Sequence, residues 1–160
     1  MEGKVRFSLA RYKDARLVGI VERTDKRILA LWAIDCAQRV MPFFEKRYPQ
    51  DKRPRKAIEA LREWMRTGKF SMPLIRKASL NAHAAAREVG EGDPARSAAR
   101  AAGQAVATAH VKTHSMGASI YALQAIYRAC KPEDAEAAVK KERAWQIRRL
   151  LELRKLGNPK

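Results

Sequence analysis

Cysteine is scarce: Cys36 and Cys130 are the only two in 160 residues. Two thiols build neither a disulfide framework nor a zinc ribbon, which needs several Cys and His at short spacing. They fit a reducing, cytoplasmic setting. Long apolar runs are missing as well. The best stretch, Ile28 to Ala37, already contains Asp35 and falls far short of the ~20 residues a membrane-spanning helix requires. Met1 to Arg6 lack the apolar segment of a secretory signal, so neither export nor membrane insertion is expected. Val, Ile and Thr do not alternate with polar residues, and no Asn-Gly or Asp-Gly pair marks a hairpin. Acidic residues are outnumbered, 17 against 34 Lys and Arg, for a net charge of +17. No Walker or dinucleotide-binding glycine loop is present, nor any familiar nucleophile–base motif. No catalytic residue and no cofactor are therefore assigned.

Alanine is abundant, with 28 residues between Ala10 and Ala144. It is the best helix former because ordering it costs no side-chain entropy. Hydrophobic residues make up 46%, enough to fold one domain of this length. The reading is all-α, a single compact bundle of about six helices over residues 24–156. A basic arm, residues 1–23, precedes it. Val5 to Leu9 alternates weakly and Leu17 to Val21 is a short apolar run, so the arm reads as a hairpin, an extended segment or disordered chain.

Local chemistry places the helices. Thr24 or Asp25 caps the first, which runs to about Arg47 with Ile28, Leu31, Trp32, Cys36, Val40, Phe43 and Phe44 at buried-face spacing. Pro42 predicts a kink near its end. Asp51 and Pro54 start the second, and Gly68 stops it. Ser71 opens the third, which ends near Val89. Asp93-Pro94 starts the fourth. There Arg96, Arg100, Gln104, Thr108 and Lys112 form a polar stripe opposite Ala98, Ala99, Ala102, Ala105, Val106 and Ala109. A helix from Pro94 to Ala129 would be unusually long, so a break is expected between Val111 and Ser115. The last helix follows Lys131-Pro132, with acids in its first turn and bases at its end, as the helix dipole favours. Trp32, Trp64 and Trp145 read as core.

Four strings occur in order: Leu31 to Val40 (LWAIDCAQRV), Tyr48 to Ala60, Ala82 to Glu88 (AHAAARE), and Ala101 to Val111 (AAGQAVATAHV) followed by His114. Together they resemble a family of small, all-helical bacterial immunity proteins, partners of polymorphic toxins. The resemblance covers roughly Asp25 to Trp145. It implies a non-enzymatic protein whose partner is a cognate toxin, acidic if charge complementarity guides the pairing, and it carries no catalytic residues.

Several side chains form a candidate polar cluster: Asp35, Arg39, Arg55, His83, Arg87, His110 and His114. Asp35 sits on an apolar helix and must be neutralised. Arg39, one turn on, is its plainest partner, with Arg55 or Arg87 as alternatives; a catalytic carboxylate is the sharper reading. His110 and His114 have metal-ligand spacing if their helix is continuous, with Asp35 or Glu45 as a further ligand. The plainer reading is hydrogen bonding between packed helices, and the expected break spoils the metal geometry, so no metal is assigned. Cys36 as nucleophile would need His83 or His110 as base; otherwise it is a small buried hydrophobe.

The excess charge concentrates in two runs, Lys46 to Lys56 and Lys140 to Lys155. Lys46, Arg47, Lys52, Arg53, Lys56, Lys140, Lys141, Arg148 and Arg149 form a candidate basic contact surface, expected to be exposed. It would also bind nucleic acid weakly at low salt. A nucleic-acid-binding module is the second functional reading and a metal- or cysteine-dependent enzyme the third. No helix-turn-helix or RNA-recognition signature supports the second. Oligomeric state is not legible.

Overall fold

The computed structural model describes residues 7–157. Seven α-helices stand among the described residues: α1 (Ala15–Glu22), α2 (Lys26–Glu45), α3 (Arg53–Thr67), α4 (Met72–Arg87), α5 (Pro94–Ala107), α6 (His114–Ala129) and α7 (Pro132–Leu156). One 3₁₀ turn, Ala10–Tyr12, precedes them. The all-α bundle is as expected, with one helix more.

The extra helix is α1, in the segment read as a hairpin, extended or disordered arm. Asp14 caps it by accepting the Arg16 amide at 2.8 Å. Leu17, Ile20 and Val21 are buried in the common core. Eight residues are too few for a helical period to stand out from an apolar run. Burial and tethering hold α1 in place instead. Lys112 Nζ donates to the carbonyls of Glu22 at 2.6 Å and Thr24 at 3.3 Å. The weak alternation from Val5 begins outside the described residues.

The other helix starts follow the caps. Asp25 accepts the Arg27 amide and Asp93 the Ala95 amide, both at 2.8 Å. Ser71 Oγ accepts from Leu74 at 3.5 Å. Asp51 accepts the Arg53 amide at 3.1 Å from just outside α3. Gly68 ends α3 at φ +68°, a backbone region where a side chain would be strained. The helix α2 continues through Pro42 to Glu45. The break expected between Val111 and Ser115 is present and begins earlier, after Ala107.

Helix α5 occupies the centre and packs against α2, α3, α4 and α6; α2 also packs against α6 and α7. Ala98, Ala99, Ala102, Ala105, Val106 and Ala109 are all buried, and such small side chains let helix axes approach. Two glycines set the closest approaches. A Cβ on Gly103 would lie 2.7 Å from His83 Nε2, and one on Gly117 2.6 Å from Gln104 Oε1. Trp32 is fully buried. Trp64 and Trp145 are half-buried and pack against the core from its edge. Each lies at a helix edge under a cation: Lys26 Nζ is 6.0 Å from the Trp64 ring, and the Arg39 guanidinium 3.9 Å from the Trp145 ring. No helix among the described residues is long and apolar enough to cross a membrane.

Candidate functional site

The polar residues singled out from sequence divide between two faces of the bundle. On the first, α2 runs against α7. Asp35 pairs with Arg149 Nε at 2.7 Å, rather than with Arg39, Arg55 or Arg87. Arg39 instead turns to α7 and grips Glu142 through Nε and Nη2, at 2.7 to 3.0 Å. Glu142 is buried. The Glu142 carboxylate raises the Arg39 guanidinium above its ordinary pKa, against the opposing effect of burial. Arg55 donates to Gln38 at 2.6 Å and pairs with Glu45. Together Asp35, Gln38, Arg39, Trp145, Arg149 and Glu152 line an open depression of about 390 Å³.

Cys36 lies beneath this face, fully buried. Burial, and then the neighbouring Asp35 carboxylate, push its thiol well above the usual range. The charged groups acting on it are Asp35, Arg143, Glu142 and Arg39, with no histidine among them. The thiol is therefore held protonated, the opposite of an activated nucleophile.

The second face is a seam where α4, α5 and α6 meet. His83 Nδ1 stands 2.9 Å from Arg100 Nη1. A guanidinium only donates, so His83 Nδ1 accepts and the neutral ring carries its proton on Nε2. Burial, then the charges of Arg100 and Arg87, lower the His83 pKa to about 4. His114 Nδ1 lies 2.8 Å from Gln104 Oε1; burial, then His110, lower its pKa too. His110 precedes α6 and stacks on Phe70, ring centroids 6.2 Å apart. It therefore does not share a helix with His114. Among the described residues no group of three or more His, Cys, Asp or Glu is placed to hold a metal ion. Arg87 is exposed one turn beyond His83.

Beside the seam opens a largely apolar groove of about 730 Å³ between Leu9, Ala10 and Val18 on one side and Met116, Ile120 and Tyr121 on the other. Lys13, Glu22, Gln104, Thr113 and His114 provide its polar lining. Sequence reasoning missed this groove because it depends on where α1 docks.

The basic runs are not uniformly free. Lys46, Lys52, Lys56, Lys140, Lys141 and Arg148 are exposed. Arg47 pairs with Asp93, Arg53 with Asp51 at 2.7 Å and Glu88 at 2.5 Å, and Arg149 with Asp35. Arg143, within the second run, points inward against the expectation of exposure. It donates to Tyr12 O at 2.5 Å, Gln146 Oε1 at 2.9 Å and Ser119 Oγ at 3.3 Å. Burial lowers its pKa.

A family model described as Imm-5 like putative immunity protein matches residues 19–153. The chain belongs to this family. The match starts inside α1 and ends near the close of α7, so Imm-5 like character extends beyond the resemblance traced from Asp25 to Trp145. Both polar faces and all three histidines lie within it. No curated protein and no solved structure matches the chain.

Proposed function

We propose that this protein is the immunity partner of a bacterial toxin, acting in the cytoplasm as a binding protein and covering the toxin's active site. Family membership over residues 19–153 carries the reading. The packing supports it: helices joined through buried alanines make a stiff body, and stiffness limits the entropy lost on binding. The exposed Lys46, Lys52, Lys56, Lys140, Lys141 and Arg148 would steer an acidic partner toward it and raise the association rate. The protonated, enclosed Cys36 supports a non-catalytic role.

The test is affinity for the product of the adjacent gene across a salt series, with duplex DNA and structured RNA measured alongside. At ~0.15 M salt the Debye length is ~8 Å, which weakens diffuse attraction and spares close contacts. The toxin is expected to stay bound there while random nucleic acid is lost. Selective submicromolar nucleic-acid binding at that salt, with no affinity for the neighbour, would overturn the proposal.

A further inference from the structure

The seam between α4, α5 and α6 carries more positive charge than its own carboxylates answer. Helices α4 and α5 run antiparallel there: His83 meets Arg100, and one turn further Arg96 Nη1 donates to Val89 O at 3.2 Å. Arg87, one turn after His83, therefore stands level with Arg96. Helices α5 and α6 are antiparallel too. Gln104 meets His114 and Gly117, while Ser97 meets Gln124 at 2.8 Å and Arg128 at 2.9 Å. This register sets Tyr121 beside Arg100 and Arg128 beside Arg96. One face thus presents Arg87, Arg96 and Arg128 in one layer and His83, Arg100 and Tyr121 in the next.

Among the described residues Arg87, Arg96 and Arg100 form no ion pair. Elsewhere Arg39, Arg53, Arg55 and Arg149 each hold a carboxylate. The cost of crowding shows at Arg100, where burial and the charges of Arg96 and Arg87 lower its pKa while Tyr121 offsets part of the effect. Arg96 and Arg100 are half-buried and Arg87 beside them is exposed; half-buried guanidinium groups without an ion-pair partner are expensive for a fold to keep, and guanidinium groups are the ones best suited to grip carboxylates in pairs. Tyr121 and Gln104 link this layer to the apolar groove, because both line it. An arginine cluster beside an apolar cleft complements a segment bearing acids next to an apolar side chain.

We infer that this seam is the docking site for an acidic segment of the toxin, its carboxylates on Arg87, Arg96 and Arg100 and its neighbouring apolar side chain in the groove beside Tyr121. The inference rests on the immunity reading and names the contact face within it. It also separates docking from steering by Lys140 and Lys141, which lie on α7 outside the seam.

The experiment measures affinity of the adjacent gene product, at ~0.15 M salt, for the unaltered protein and for Arg87→Glu, Arg100→Gln, Tyr121→Ser, Lys140→Glu and Lys141→Glu, each first checked by thermal unfolding. Arg87 is exposed, so its reversal leaves the fold intact even if Arg100→Gln disturbs it. Arg87→Glu is expected to weaken binding about 100-fold or more, as reversal within a close interfacial charge pair does. The lysine reversals are expected to change it about threefold or less, mainly through the association rate. Tight binding by the unaltered protein with Arg87→Glu no worse than the lysine variants would overturn the inference and leave the immunity reading standing. No binding by the unaltered protein would overturn both. Selective loss of structured-RNA binding in Arg87→Glu, with toxin binding unchanged, would assign the seam to a polynucleotide and also overturn it.

Discussion

Trp32 Nε1 donates to the main-chain carbonyl of Gln146 at 2.8 Å, joining the middle of α2 to the middle of α7. The indole is wholly enclosed, so this bond forms where water cannot compete. Gln146 is buried as well and passes the connection on, its Nε2 donating to Ser119 O at 3.0 Å. One tryptophan thereby coordinates α2, α6 and α7.

Trp32→Ala is expected to destabilise the protein by about 3–5 kcal/mol, the range for deleting a large buried aromatic. Trp32→Phe should cost less, since it keeps most of the apolar contact and loses only the N–H donor. Denaturant unfolding followed by circular dichroism checks both. A loss below 1 kcal/mol for the alanine variant would contradict the packing described.

Arg39 and Glu142 are expected to behave as a coupled pair. Arg39→Met leaves the Glu142 carboxylate buried without its cation and should cost about 1–3 kcal/mol, below the full value for a buried pair because Arg39 is partly solvated. Adding Glu142→Gln should recover part of that loss. A double-mutant cycle reads the coupling, and strict additivity would rule it out.

Much of this fold was legible because its helix boundaries are local. Asp25, Asp93 and Gly68 signal a start or a stop through chemistry confined to a few residues, and the structure places caps or a left-handed turn at each. Contacts between helices were not legible. Arg39 was the obvious partner for Asp35 because it lies one turn along the same helix, whereas Arg149 comes within reach only once α2 and α7 align. The seam shows the same limit. The stripe from Arg96 to Lys112 is readable from spacing, but nothing in the spacing places His83 against Arg100. Nor does any local pattern announce that Arg143 turns inward to hold the Tyr12 carbonyl.

His83 should give the protein a dependence on mild acid. Its pKa is about 4 in the fold against an ordinary value of 6.5. Above 6.5 the ring is neutral in both states. Between 6.5 and about 4 the unfolded chain takes up a proton that the native ring refuses, so stability falls as pH falls. Below about 4 this contribution levels off. The slope over that window should be shallower in His83→Gln than in the unaltered protein, and an NMR titration of the ring should show a midpoint near 4. A midpoint near 6.5 would contradict the neutral, arginine-bonded ring.

The two thiols should differ sharply in reactivity. Cys36 is enclosed and held protonated, while Cys130 at the end of α6 is half-buried. Iodoacetamide at mild alkaline pH is expected to modify Cys130 first and Cys36 only on the timescale of unfolding. In denaturant the two rates should converge. Mass spectrometry of peptides sampled over time distinguishes the sites, and equal native rates would contradict the burial of Cys36.

Tyr12, Trp32, Asp35 and Arg39 all find partners between Glu142 and Arg149. On the ribosome, therefore, the Tyr12 turn and α2 wait for α7. Until α7 emerges, the α2 surface that it covers stays open, and the turn at Tyr12 lacks its anchor. A prematurely terminated product would keep most of its helical sequence and still present that apolar surface to chaperones and proteases. Each copy would escape that surveillance only once α7 is complete.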